Sequence, residues 1–176
     1  MKHIRKRWIH ILIWLLMILY LTISPNIIDQ IMITEGKPIQ YSVESLEPLD
    51  IIRYSVDRLD SITINGQNIF NIWGWSFITT DKEQANYEII LVLESNKIKY
   101  YFLTKSYERA ELQTAFKDVD IVLQNSGFKA NIAKETLKSG TYNIGILYRN
   151  KISGDTYYQI TNAQLLKTPN NLKLLK

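Results

Sequence analysis

From Ser61 onward, short apolar runs rich in Ile, Val, Tyr and Phe alternate with polar turn residues. Runs of this length and composition read as β-strands bounded by turns. Ile62–Ile64 leads into Asn65-Gly66, a pair that favours a two-residue hairpin turn because both positions accept positive φ. Ile69–Thr79 is the next strand, with Gly74 marking a bulge or a close backbone approach. Tyr87–Leu93 is the most apolar run and predicts a central strand covered on both faces. Ile98–Leu103 returns from it with Ile98, Tyr100 and Phe102 on one face. Ser106–Phe116 suits one or two helical turns better than a strand, and Asp118–Leu123 reads as a strand. Phe128, Ala130 and Ile132 alternate with Lys129, Asn131 and Ala133, as in a half-buried strand. Gly140 opens a strand that turns Tyr142, Ile144, Ile146 and Tyr148 inward. Tyr157–Leu165 pairs back across a loop containing Gly154.

This pattern predicts an all-β domain: an antiparallel immunoglobulin-like β-sandwich of about seven or eight strands. No alternation of strands and helices suggests a doubly wound sheet. The sandwich is assigned to residues 60–167 and a polar tail to residues 168–176. Residues 24–59 are interrupted by Pro25, Pro38 and Pro48. They read either as a stalk with a first strand near Ile51–Val56, or as an edge strand and loop packed on the domain.

The N-terminus follows another rule. Trp8–Ile23 contains no charged side chain and follows Lys2, Arg5, Lys6 and Arg7. As a helix it spans roughly 24 Å, at the short end for a membrane crossing. The basic run places residues 1–7 in the cytoplasm and residues from about Ser24 onward outside. No small-residue cleavage site follows, and Pro25 ends the helix. The expectation is one uncleaved N-terminal transmembrane helix over residues 8–23, with the C-terminal domain extracytoplasmic at the cell membrane.

Those four basic residues supply the whole formal charge of +4. From residue 24 on, 17 basic side chains balance 17 acidic ones, so the high pI signals topology and not nucleic-acid binding. There is no Cys, and both His residues lie before residue 24. The outer part therefore has no Ser-His-Asp or Cys-His machinery and no ordinary zinc ligand set. No phosphate-cradling glycine loop is present.

Four motifs recur in order: Gly74-Trp75-Ser76-Phe77; Arg109-Ala110-Glu111-Leu112 with Phe116 four residues on; Ser126-Gly127-Phe128; and Leu137-x-x-Gly140-x-Tyr142. This order resembles the G-W-A-F, R-x-D-V-x-x-x-F, S-G-F and L-x-x-G-x-Y pattern of immunoglobulin-like accessory modules. Such modules occur in bacterial envelope-polysaccharide and glycosyltransferase-associated proteins. The likeness spans residues 69–148 and departs at Ser76, Glu111 and Leu112. It implies a fold and an envelope setting, and no catalytic residue.

The sequence thus predicts a non-enzymatic, membrane-anchored protein without a cofactor, binding an envelope glycan or a protein partner; the alternatives are a structural spacer without a ligand and, more remotely, a carboxylate-based glycan hydrolase. Trp73, Trp75 and Phe77 share a strand face, either as core or as a sugar-stacking platform. Trp73, Tyr101, Arg109 and Tyr157 are the candidate ligand-binding residues, Tyr101 and Tyr157 as exposed aromatics. Arg109 either grips an anionic group or pins the helical turn to the sandwich. Asp118 and Asp120, two apart on a predicted strand, are the one calcium candidate; the alternative is a solvated edge.

Overall fold

The computed structural model describes residues 13–15, 17, 36–41, 51–96 and 98–176. Eight antiparallel strands form one nearly closed sheet: β1 (Ile52–Ile64), β2 (Gln67–Ile78), β3 (Tyr87–Glu94), β4 (Lys99–Tyr107), β5 (Gly127–Ala133), β6 (Gly140–Asn150), β7 (Thr156–Lys167) and β8 (Leu172–Leu175). Their order is β1-β2-β5-β4-β3-β6-β7-β8. At the seam, Lys176 Nζ donates to the Asp57 carbonyl at 2.8 Å, tying the end of the chain to β1. A single short helix, α1 (Ala110–Ala115), lies between β4 and β5.

Asn65 and Gly66 take φ of 50° and 79° and close the β1–β2 hairpin, as their identity predicts. β1 bulges between Val56 and Arg58. β4 changes partner along its length. Lys99–Leu103 pairs with β3, and Thr104–Tyr107 pairs with β5. The strand therefore opens a fork on each side, one where it leaves β5 and one where it leaves β3.

Inside, Ile72, Leu91, Leu93, Phe102, Phe128, Ile132, Ile144 and Ile146 have no exposed surface. Tyr142 and Tyr148 join this core, as the alternation of β6 predicts. The Tyr142 hydroxyl donates to the Lys138 carbonyl at 2.8 Å, closing the corner that leads into β6. Two smaller clusters cover outer faces. Ile90, Val92, Leu147, Tyr101 and Tyr158 pack with Ile39 and Tyr41, so β3 is covered on both faces. Phe77 packs with Leu112, Ile121 and Leu123, joined by Trp75, Phe116 and Val119.

Several expectations are corrected. Asp118–Leu123 is not a strand. Ile121 and Leu123 turn down onto Phe77, and the Gln113 amide takes the place of a neighbouring strand: its Nε2 donates to the Ile121 carbonyl at 3.1 Å and its Oε1 accepts from the Leu123 N–H at 2.9 Å. The boundary drawn at residue 60 falls inside β1, whose long pairing with β2 carries the domain back to Ile52. The polar tail assigned from residue 168 carries a strand instead: β8 pairs with β7 from Gln164 to Lys167, and Leu172 is buried in the core.

Residues 13–15 and 17 are helical and exposed. No helix among the described residues is long and apolar enough to cross a membrane, and the rest of Trp8–Ile23 lies outside them.

Candidate functional site: an open fork at the loop end

The fork between β4 and β5 is filled by the chain itself. The Ala133 N–H donates to the Gly36 carbonyl, and the Ile39 N–H to the Tyr101 carbonyl, both at 2.8 Å. The Tyr41 and Tyr101 rings lie 5.4 Å apart, and Tyr101 is only 9% exposed. Tyr101 is therefore not the exposed aromatic expected, because Ile39 and Tyr41 cover it.

The fork between β3 and β4 is open. Register pairing ends at Ile90 and Leu103. At the next position the Thr104 hydroxyl donates to the Ile89 carbonyl at 2.8 Å, substituting for a ladder bond. Beyond it the strands part around a cleft of about 770 Å³. Its floor is the Ser76–Tyr148 hydroxyl pair, 2.8 Å apart. Thr104, Ser106, Asn125 and Ser126 line one wall, and Gln84, Asn86, Tyr87 and Ile89 the other. Lys82, Glu83, Ala85, Glu88, Lys151 and Val122 complete the lining.

The β2–β3 connection holds its wall in place. Gln84 closes back on Ile78, with Nε2 donating to the Ile78 carbonyl at 2.9 Å and Oε1 accepting from its N–H at 3.0 Å. Asp81 accepts from the Tyr87 hydroxyl at 2.5 Å and from the Glu83 N–H at 2.8 Å. These bonds hold the Asp81 carboxyl below its usual range. Burial and the bond to Asp81 push the Tyr87 phenol up to about 12. Burial pushes the Tyr148 phenol up as well, so it stays a neutral hydroxyl on the floor. Lys82 and Asp120 form an ion pair between the two loops, and Glu88 pairs with Arg149 on β6.

Hydroxyls and amides are the commonest side chains of the lining; Thr104, Tyr87 and Gln84 donate within the protein, and Ser76 and Tyr148 bond to each other. Among the described residues no group of three or more His, Cys, Asp or Glu side chains is placed to hold a metal ion. Asp118 and Asp120 lie on the irregular loop, so the strand geometry that aligned them is lost, and Asp120 is spent on Lys82.

The four predicted ligand residues are not brought together. Tyr157 packs against Tyr87, ring centroids 6.2 Å apart, and against the core. Arg109 Nη1 donates to Asp57 at 2.6 Å and to the Tyr107 hydroxyl at 3.1 Å, and Nε pairs with Glu111. Burial opposes the charged guanidinium, but the bonds to Asp57, Glu111 and Tyr107 outweigh it and raise the pKa. Trp73, Trp75 and Phe77 do share a face, and it is the outer one. Trp75 and Phe77 lie beneath the α1 segment, with Phe116 edge-on to each at 5.3 and 5.1 Å. Trp73 is half-buried on the open part of that face, with the Arg58 guanidinium 4.8 Å and Lys129 Nζ 4.7 Å from its ring centroid.

The cleft hydroxyls were legible only as a change along one face of β4. Tyr100 and Phe102 point to the core and are followed at the same spacing by Thr104 and Ser106. Compared with known proteins, the chain matches no family model, no curated protein and no solved structure.

Proposed function

We propose that this chain is a non-enzymatic, single-pass membrane-anchored envelope protein whose extracytoplasmic domain binds a glycan in the β3–β4 fork. The carrying observation is the open cleft, walled by hydroxyl and amide side chains over the Ser76–Tyr148 floor. A sugar presents donors and acceptors all round its ring, and such a lining can answer them without buried charge.

The domain is read as immunoglobulin-like. The order β1-β2-β5-β4 corresponds to strands A-B-E-D of that fold, and β3-β6-β7 to C-F-G. The Tyr142–Lys138 bond has the form of its tyrosine corner, at the start of the equivalent of strand F. This gives a physical role to the Leu137-x-x-Gly140-x-Tyr142 motif. It supports kinship with envelope-polysaccharide accessory modules. In that frame the cleft opens among the β2–β3, β4–β5 and β6–β7 loops, one end of the sandwich. The anchoring rests on the apolar run Trp8–Ile23 behind its basic residues.

A protein partner is the second reading, favoured by the exposure of Val122 (73%) and Ile152 (79%) on two of these loops. The deciding experiment is titration of the purified full chain with neutral envelope oligosaccharides, alongside Ser106→Trp, which fills the cleft. Saccharide binding abolished by Ser106→Trp supports the glycan reading; binding that survives it, or none at all, rejects it. Protease accessibility of a C-terminal tag on spheroplasts, with sequencing of the mature N-terminus, tests the topology. An N-terminus beginning after Ile23 rejects the anchor.

A further inference from the structure

We propose that the open edge of β7 is a docking surface for a second copy of this chain, the two strands pairing antiparallel along Thr156–Ile160 about a two-fold axis at Tyr158. β7 bonds to β6 along one side, but β8 lies along its other side only from Gln164 to Lys167. Among the described residues no strand pairs with Thr156–Ile160 on that side. The register shift opposite Asn143 and Gly145 ends the regular stretch just past Ile160, which is 39% exposed.

The backbone groups of this edge are turned outward. The Asn150 N–H donates to the Asp155 carbonyl at 2.8 Å, so these two opposed residues form a hydrogen-bonded pair. Alternation along an antiparallel ladder makes Tyr148–Tyr157 and Ile146–Gln159 the next such pairs. The N–H and C=O groups of Thr156, Tyr158 and Ile160 therefore point away from β6. The Ile160 carbonyl accepts from Gln159 Nε2 at 3.2 Å, a side chain standing in for a strand. Among the described residues nothing donates to the buried Oε1 of the same Gln159. A second β7 centred on Tyr158 sets Tyr158 against its own copy and Thr156 against Ile160 on either side. Those three opposed pairs exchange up to about six backbone hydrogen bonds.

Charge favours a copy over a foreign strand. A two-fold contact brings one patch against itself, so a charge near the axis meets its equal. Thr156–Leu166 contains no charged residue, no Pro and no Gly. It thus lacks the charges and prolines that keep strand edges apart. β1, the other edge of the sheet, carries Arg53, Asp57, Arg58 and Asp60, bulges between Val56 and Arg58, and is tied down by Lys176. Residues 24–176 balance 17 basic against 17 acidic side chains, so no net charge holds two copies apart. The edge shares no residue with the β3–β4 cleft, so each reading can fail alone.

The test is sedimentation equilibrium of the full chain in density-matched detergent, together with cysteine cross-linking. The wild-type chain is expected to dimerise reversibly. Thr156→Glu with Ile160→Glu sets like charges opposite each other across the axis and weakens the dimer at least tenfold. Thr156→Glu with Ile160→Lys sets opposite charges there and retains it. The native chain has no Cys, so Thr156→Cys with Ile160→Cys reports register directly. The two positions face each other between copies at disulfide distance, and within one chain they lie about 13 Å apart. Mild oxidation links that double variant into dimers and leaves either single variant largely unlinked. Both positions are at least partly exposed, so every variant should keep the wild-type circular dichroism. Should the double Glu variant unfold, the contrast between double and single Cys variants carries the test. A dimer indifferent to both charged pairs, or single Cys variants that link as well as the double, would overturn the proposal. So would a chain that stays monomeric at sub-millimolar concentration, which leaves the edge to a strand of another protein or to none.

Discussion

Ser76 Oγ and Tyr148 Oη lie 2.8 Å apart and join β2 to β6 across the interior. Ser76 is 1% and Tyr148 2% exposed, so each hydroxyl depends on the other. Removing one leaves its partner buried and unsatisfied, at a cost of about 1–3 kcal/mol. Tyr148→Phe and Ser76→Ala are each expected to destabilise by that amount. The double variant is expected to cost less than the sum, because it strands neither group. Urea unfolding of all four proteins measures the coupling, and strictly additive costs contradict the bond.

Arg109 is expected to act structurally. It bridges the β1 bulge at Asp57 to Glu111 of α1, and its backbone N–H donates to the Gln124 carbonyl at 2.6 Å. Arg109→Gln keeps the backbone bond and loses the charged ones, for about 1–3 kcal/mol. Melting should fall while saccharide affinity of the folded protein stays the same. A variant that melts like wild type defeats this assignment.

Gly74 has no room for a side chain. A Cβ there would lie 2.3 Å from the Ser55 carbonyl oxygen and 2.6 Å from Cζ of Phe128. Gly74→Ala must push β1 or the Phe128 ring aside, and overpacking of this kind costs about 1–3 kcal/mol. Denaturant midpoints compared at equal slope provide the measurement.

Stability is expected to fall at alkaline pH. The Tyr87 phenol, ordinarily near 10, is raised to about 12 by burial and by Asp81. Tyr142, Tyr148 and Tyr158 are raised too, chiefly by burial. A raised folded-state pKa means that the folded chain holds the proton more tightly than the unfolded chain. The stabilisation is complete below pH 10 and, for Tyr87, is lost between pH 10 and about 12. Tyrosinate absorbance should therefore rise together with unfolding. Absorbance that titrates fully near pH 10 in a folded protein contradicts the burial of these phenols.

Asp81 works at the other end of the scale. Its carboxyl is held below 3.8 by the Tyr87 hydroxyl and the Glu83 N–H. The matching stabilisation is present above that value and lost as pH falls through the folded pKa. Asp81→Asn should flatten the acid limb of the stability curve while leaving the neutral Tyr87 hydroxyl an acceptor. An unchanged acid limb would show that the Tyr87–Asp81 bond does not form.

Much of the fold was written locally. Asn65-Gly66 specified its hairpin because few other pairs accept two positive φ values. The alternation Tyr142, Ile144, Ile146, Tyr148 specified the inner face of β6 because side chains alternate along any strand. The same rule put Trp73, Trp75 and Phe77 on one face, but β2 is apolar on both sides, so alternation alone did not say which side is the core. Ile121 and Leu123 alternate like a strand and became a loop, since the Gln113 amide met their backbone groups and Phe77 supplied their packing. The cleft was decided by tertiary structure. It exists because β4 changes partner after Leu103, from β3 to β5, and that choice is made by strands distant in sequence. Residue identity sets which face a side chain takes and which turn the backbone accepts; where two strands part, and which fork the chain's own Gly36–Tyr41 segment fills, depends on packing between residues far apart along the chain.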